Sequence, residues 1–251
     1  MRRLLVIIAV GMLAGQVQAG LAMRGLAAVR ANMSKAPTDY DHYWHPSKFL
    51  DSDDHVGSLD GTMYGGLDES SEGWAMGTDN AKYIALDGPI SNSTSYTVSC
   101  WIKPDIDEMN LNQYGGWIVS DRTQTPNDFQ LYYNKSGYYR CSAWDSSGVS
   151  VSEINTNYYD DAWQHLCMVV DYGNSTHELF VNGVSDGATE LTITPQNAST
   201  TNAAFAVGSW GASPGGSQTK YRGSMDNVKI WADRALSTDE VKSLYNIGRT
   251  K

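Results

Sequence analysis

Seven carboxylates crowd residues 51 to 72: Asp51, Asp53, Asp54, Asp60, Asp68, Glu69 and Glu72, with no Lys or Arg among them. A hard divalent cation takes six to eight oxygens, from carboxylates and from carbonyls in turns, so an acidic Gly-rich stretch suits calcium. Without a cation, such a density of like charge has to spread into water, which makes an exposed acidic loop the plainer reading. A second cluster, Asp105-Ile106-Asp107-Glu108, follows Pro104 and reads as a solvated loop.

Acid–base chemistry would need more than acids in number. Hydrolysis of a glycosidic bond takes two carboxyl groups set on opposite sides of it. Glu is scarce in the extended segments, with Glu178 the main exception. His42, His45, His55 and His177 have no Ser or Cys nucleophile beside them in sequence, so no triad is legible. The Gln164-His165 pair has the residue types of a lyase's base and charge neutraliser, but two residues of common type make a weak signal. Catalytic residues are therefore assigned to none.

A sugar can be held without being cleaved, by an aromatic face under its C–H groups and polar groups around it. The candidates are Trp210, Tyr221, Trp144, Tyr139 and Tyr132. Trp210 leads, because "GSWGASPGGSQ" around it reads as an exposed loop. For each of the five, burial in a core is the competing role, since aromatics supply much of any core's area.

The elements that would position these residues are mostly strands. The chain of 251 residues carries 24 Gly, 15 Tyr and 8 Trp, a composition that suits strands and turns better than helical bundles. "WQHLCMVVDYGNSTHELFVNG" predicts a hairpin: Gln164 to Asp171 and His177 to Asn182 are extended runs, and Gly173 to Thr176 tolerate the positive φ of a tight connection. "YTVSCWIK" alternates Val98, Cys100 and Ile102 against Thr97, Ser99 and Trp101. Further strands are expected over 117–120, 129–133, 138–144, 191–194, 204–208 and 225–231. Short strands at this spacing argue an all-β, two-sheet antiparallel sandwich. One helix is legible in "LSTDEVKSLYNIG", where Ser237 and Glu240 have capping-box spacing, Val241, Leu244 and Tyr245 share a face, and Gly248 suits the end.

"YTVSCWIKPD" at 96–105, "WQHLCMVVDYGNSTHELFVNGV" at 163–184, "FAVGSWG" at 205–211 and "YRGSMDNVKIWADRALSTDEVKSLYN" at 221–246 resemble, in that order, the LamG-like jelly-roll domains of the concanavalin A-like superfamily. The resemblance runs from about residue 50 to 247 and implies a jelly-roll sandwich with a binding role, commonly for glycans or other extracellular partners and often with calcium. It also aligns Asp79 and Asp226 with acidic positions near the early strand and at the head of the last one, so the metal candidates become Asp79, Asp226, Asp51 and Asp54. The Glu-x-Asp-x-x-Glu string of the jelly-roll glucanases does not occur.

The N-terminus has the form of an export signal over 1–19: Arg2 and Arg3, an apolar run from Leu4 to Leu13, and Val17-Gln18-Ala19 at cleavage spacing. That run is too short to cross a bilayer, which takes roughly 20 residues. Residues 20–49 are expected to be a linker or helix, and 50–251 the domain. A net charge of −10 argues against nucleic acid and anionic membranes, which are bound through Lys/Arg clusters. Cys100, Cys141 and Cys167 lack metal-ligand spacing; an oxidising compartment allows one bridge, Cys100 to Cys167 first, with buried thiols as the alternative. The five Asn-x-Ser/Thr triplets arise easily in short polar loops. The expected function is a secreted, calcium-assisted, non-catalytic carbohydrate-binding or adhesive module. The second reading is a structural or protein-interaction domain of an envelope, matrix or virion surface.

Overall fold

The computed structural model describes residues 36–44, 56, 61–64, 68–70, 73–76, 83–86, 95–105, 116–121, 129–134, 138–145, 148–154, 162–185, 187–191, 205–207 and 221–249. Within them lie sixteen strands and one helix. In chain order the strands are β1 (His42–Trp44), β2 (Gly61–Tyr64), β3 (Asp68–Ser70), β4 (Gly73–Met76), β5 (Tyr83–Leu86), β6 (Tyr96–Pro104), β7 (Gly116–Asp121), β8 (Phe129–Asn134), β9 (Tyr138–Asp145), β10 (Gly148–Ile154), β11 (Gln164–Asp171), β12 (Thr176–Val181), β13 (Val184–Ser185), β14 (Thr189–Glu190), β15 (Phe205–Val207) and β16 (Gly223–Trp231). The helix α1 covers Thr238–Ile247.

The strands form two antiparallel sheets, as the alternation predicts. One has nine strands, in the order β13-β12-β11-β6-β16-β4-β3, with β1 joined to β16 and β14 to β12. The other has seven, in the order β10-β9-β8-β7-β15-β5-β2. Successive side chains of a strand face opposite ways, and β6 shows the result. Tyr96, Val98, Cys100 and Ile102 enter the core between the sheets, together with Leu166, Met168 and Val170 of β11, Ile118 and Val119 of β7, and Leu131 and Tyr139 of β8 and β9. The other face of the nine-stranded sheet carries Cys167, Val169, Phe180 and Trp231, and α1 closes a smaller core over them with Leu236, Val241 and Leu244.

The helix starts where the sequence places it. The Ser237 hydroxyl accepts from the Glu240 N–H, and the Glu240 carboxylate accepts from the Ser237 N–H at 2.9 Å. At the other end Gly248, at φ +80°, donates its N–H to the Tyr245 carbonyl.

Three expectations are corrected. The segment read as a linker supplies β1, whose His42, Tyr43 and Trp44 pair with Ile230, Lys229 and Val228; three residues are too few to show a period. The acidic stretch is partly strand, with β2 and β3 standing last in their sheets and Asp68 and Glu69 opposite Ala75 and Trp74. Charge on an outermost strand is a familiar guard against edge-to-edge pairing. The strand expected over 191–194 is instead Thr189–Glu190, opposite His177 and Thr176, and residues 192–194 lie outside the described ones. Of the two readings of the cysteines, buried thiols are the one observed, at Cys100, Cys167 and Cys141 alike. Cys100 is paired with Leu166, so the neighbouring Cys167 faces the opposite side of the sheet, and the two sit in different cores. No bridge can cross a sheet that way. The expected leader, residues 1–19, lies outside the described residues. Among the described ones, no helix is long and apolar enough to cross a membrane.

Candidate functional site

The sequence candidates scatter. Tyr139 and Tyr221 are 0% and 1% exposed, which corrects their assignment as sugar platforms. Both lie on the inner side of the sandwich, where the Tyr139 hydroxyl donates to Gln164 Oε1 at 2.7 Å and that of Tyr221 to the Ser224 carbonyl at 3.1 Å. Trp144 is in β9 opposite Val149. Trp210 lies outside the described residues, as do Asp51, Asp54 and Asp79.

Tyr132 keeps a place at the surface. It stands half-buried on the outer face of the seven-stranded sheet, opposite Arg140 in the β8–β9 pair. An Arg140 guanidinium N–H donates to the Tyr132 hydroxyl at 2.9 Å, and the guanidinium carbon is 5.6 Å from the ring centroid. A guanidinium and an aromatic ring are thereby held in one row. Gln130 and Ser142 form the next row, paired with each other, and Ser120 pairs with Gln130. These three are buried, so they are the floor of this face rather than its rim.

Asp226, the last metal candidate, is fully buried, and the Arg249 guanidinium lies 3.3 Å from its carboxylate. Arg249 in turn stacks on Trp163, with its guanidinium carbon 3.9 Å from the ring centroid. The neutralising cation at Asp226 is thus a side chain, and a calcium ion there would have to displace it. Among the described residues no group of three or more His, Cys, Asp or Glu is placed to hold a metal. Replacing Arg249 by Met removes the partner of a buried charge, which typically costs ~3–5 kcal/mol. The 3.3 Å separation is long and the Asn227 amide reaches the same oxygen at 3.5 Å. The expected loss is therefore smaller, about 2–3 kcal/mol, read by urea denaturation. Asp226→Asn combined with Arg249→Met should recover much of it.

One constellation was not legible beforehand. On the outer face of the nine-stranded sheet, Ser99 and Trp101 of β6, His165 of β11, and Asn227 and Lys229 of β16 line a pocket closed by Leu244, Ile247 and Gly248. The Ser99 hydroxyl is 2.9 Å from His165 Nε2. The imidazole lies 5.4 Å from the Trp101 ring, and the Tyr245 ring stacks on that indole at 6.0 Å. A Ser–His contact invites a nucleophilic reading, which the electrostatics oppose. Burial, and then the nearby Lys229 charge, depress the His165 pKa to about 3, whereas a general base must take up a proton and needs an anion behind it. His165 Nδ1 has no hydrogen-bond partner among the described residues.

A family profile described as concanavalin A-like lectin/glucanases superfamily matches residues 77–242. No curated protein matches the chain in sequence. Among solved structures the chain is similar to domain 4 of AbnA, a GH43 extracellular arabinanase from Geobacillus stearothermophilus, in complex with arabinotriose. There the TM-score is 0.64 at 18% identity, covering 82% of this chain and 98% of that one. It is similar also to the receptor binding domain of botulinum neurotoxin C/D mosaic serotype, with TM-score 0.65 at 12% identity, over 83% of this chain and 51% of that one. A third likeness is to the native heptameric SAP-like pentraxin from Limulus polyphemus, with TM-score 0.52 at 18% identity, over 65% of this chain and 75% of that one. At these identities the likeness is one of fold.

Proposed function

This chain belongs to the concanavalin A-like lectin/glucanases superfamily, and from that premise we propose that it is an exported, non-catalytic glycan-binding module. The observation that carries the reading is the Tyr132–Arg140 pair on the outer face of the seven-stranded sheet. A phenol ring offers an apolar face for sugar C–H groups, and a guanidinium offers N–H donors for hydroxyl oxygens. The solved complex of a similar arabinanase domain with arabinotriose supports the same class of ligand. Non-catalysis rests on the missing glucanase string and on the electrostatics of the Ser99–His165 contact. Calcium assistance enters only through Asp51, Asp54 and Asp79, because Asp226 is engaged by Arg249.

The test is an oligosaccharide array that includes arabino-oligosaccharides, run with calcium and with EDTA, followed by calorimetry on the best ligand. Tyr132→Ala should weaken binding about tenfold, as expected for loss of one aromatic anchor, while the circular dichroism spectrum stays unchanged. Absence of binding to every glycan at millimolar concentration would reject the proposal in favour of a structural domain. Loss of binding in EDTA alone would assign the site to a metal-dependent loop instead of the Tyr132 row.

A further inference from the structure

The strands at the margins of the two sheets are unequally protected. β1, β3, β13 and β14 on the nine-stranded sheet and β2 on the seven-stranded one are two to four residues long, and β3 carries Asp68 and Glu69. Short length and charge keep an outermost strand from pairing with another chain. β10 has little of either. It ends the seven-stranded sheet as Gly148–Ile154, "GVSVSEI", seven residues with one charge and no proline. All seven pair with β9 in unbroken register, from Gly148 opposite Asp145 to Ile154 opposite Tyr139, so no bulge twists the edge away. Among the described residues no strand pairs with its far side.

In an antiparallel ladder alternate residues of the last strand point both N–H and C=O away from the sheet, and Val149, Val151 and Ile154 are residue types that favour extended chain. β10 also lies beside β12 and β14 of the other sheet, so it is held from one face while its open side is an edge. A second copy of the same strand fits that edge. Antiparallel pairing of β10 with itself, in the register that uses all seven residues, sets Val151 opposite its own counterpart, Ser150 opposite Ser152, Val149 opposite Glu153 and Gly148 opposite Ile154. The two residues of every pair are both odd or both even in number, so outward-pointing groups meet outward-pointing groups throughout. The single charge of each strand, Glu153, stands opposite Val149 and not opposite its like, which avoids the repulsion that destabilises cross-strand pairs.

We propose that β10 is a self-association edge: two copies of this chain pair through it about a two-fold axis at Val151, joining their seven-stranded sheets into one continuous sheet. The contact is isologous and uses up both open edges, so assembly stops at two copies. Tyr132 and Arg140 stand on β8 and β9, the two strands that lead to β10. Pairing therefore sets both copies of that row on one continuous sheet, roughly 25–30 Å apart at the usual strand spacing. Two equal sites on one body raise the apparent affinity for a repeating glycan without any new contact. That consequence rests on the glycan reading, whereas the pairing itself does not.

The experiment is sedimentation velocity on the full chain over a concentration series, with no glycan present. The wild type should pass from one chain mass to two, with a dissociation constant in the micromolar range, and form nothing larger. Val151→Lys, which sets like charges against each other at the axis, should weaken association at least about a hundredfold. Val184→Lys, at the exposed residue of β13 on the margin of the other sheet, should leave it unchanged. A wild type that stays monomeric at millimolar concentration, or a dimer that Val151→Lys leaves intact, overturns the proposal. Should Val151→Lys fail to fold, Val151→Cys decides, because directly opposed residues of an antiparallel pair have Cα atoms within disulfide reach. The three native thiols are buried and do not compete. Mild oxidation should link two chains through residue 151, and linkage no faster than that of Val184→Cys rejects the site. A dimer that binds no glycan would uphold the pairing and remove only its bivalent use.

Discussion

Replacing Gly223 by alanine is expected to destabilise the protein by about 3–5 kcal/mol, placing it among the severe single substitutions. Gly223 opens β16 at φ +132°, a region that L side chains rarely adopt. A Cβ built there would stand 2.2 Å from the Lys103 carbonyl oxygen, 2.8 Å from the Tyr221 hydroxyl and 2.9 Å from the Asp105 nitrogen. Two of those three atoms are backbone. Gly223 faces Pro104 in the β6–β16 pair, and the Asp105 N–H donates to the Arg222 carbonyl at 3.1 Å across the same junction. Making room means parting the two longest strands of the nine-stranded sheet. Gly187 is the control, because it too has positive φ, at +107°, yet a Cβ there meets nothing within 4 Å. Gly187→Ala should cost only the conformational part, about 1 kcal/mol. Urea denaturation of both variants separates steric from conformational cost. A Gly223→Ala protein within 1 kcal/mol of wild type would contradict the close approach of these strands.

How much of this was readable from the chain follows the range of each interaction. The hairpin of β11 and β12 and the capped helix α1 are local: alternation, a turn at Gly173 and Asn174, and a Ser237–Glu240 box all lie within one short window. They come out nearly at their observed ends. β1 to β5 are only three or four residues long, too short to show a period, and β1, β4 and β5 also meet partners far along the chain, in β16 and β15. The inner face of each strand was legible because it is apolar. The outer face misled, since Ser99 and His165 have the types of solvent-facing residues, yet they are buried beneath the packing on that face of the sheet. Ser99 and His165 are 66 positions apart, and their contact depends on the register between β6 and β11. The aromatic candidates failed for a related reason. A Tyr on a strand faces core or solvent according to register, and a hydroxyl such as that of Tyr139 can be satisfied inside by a single partner, Gln164.

Acidification from pH 6.5 to pH 5 is expected to remove about 3–4 kcal/mol of stability. Two histidines are responsible. His165 has its pKa depressed to about 3 by burial and then by the Lys229 charge, and His177, at 1% exposure and beside Cys141, has its own lowered to about 4 by burial. In the unfolded chain both return to the ordinary value near 6.5. Below that value the unfolded state binds protons that the folded state refuses, so stability falls with pH; above it both states are neutral and the contribution is fully present. Each histidine costs about 1.4 kcal/mol per pH unit in the window between its two pKa values. From pH 6.5 to pH 5 both windows are open, so the two shares are nearly equal; only below about pH 4 does His165 alone continue the slope. His177→Gln and His165→Gln should each flatten part of the slope when unfolding free energies are compared at pH 7 and pH 5. His165→Gln should do so at a cost in absolute stability, because Ser99 then loses an imidazole packed against Trp101 and Tyr245. A wild-type stability that is level from pH 7 to pH 5 would mean that these imidazoles take up protons in the folded state, and with that the dry, cation-bearing face beneath α1 would be excluded.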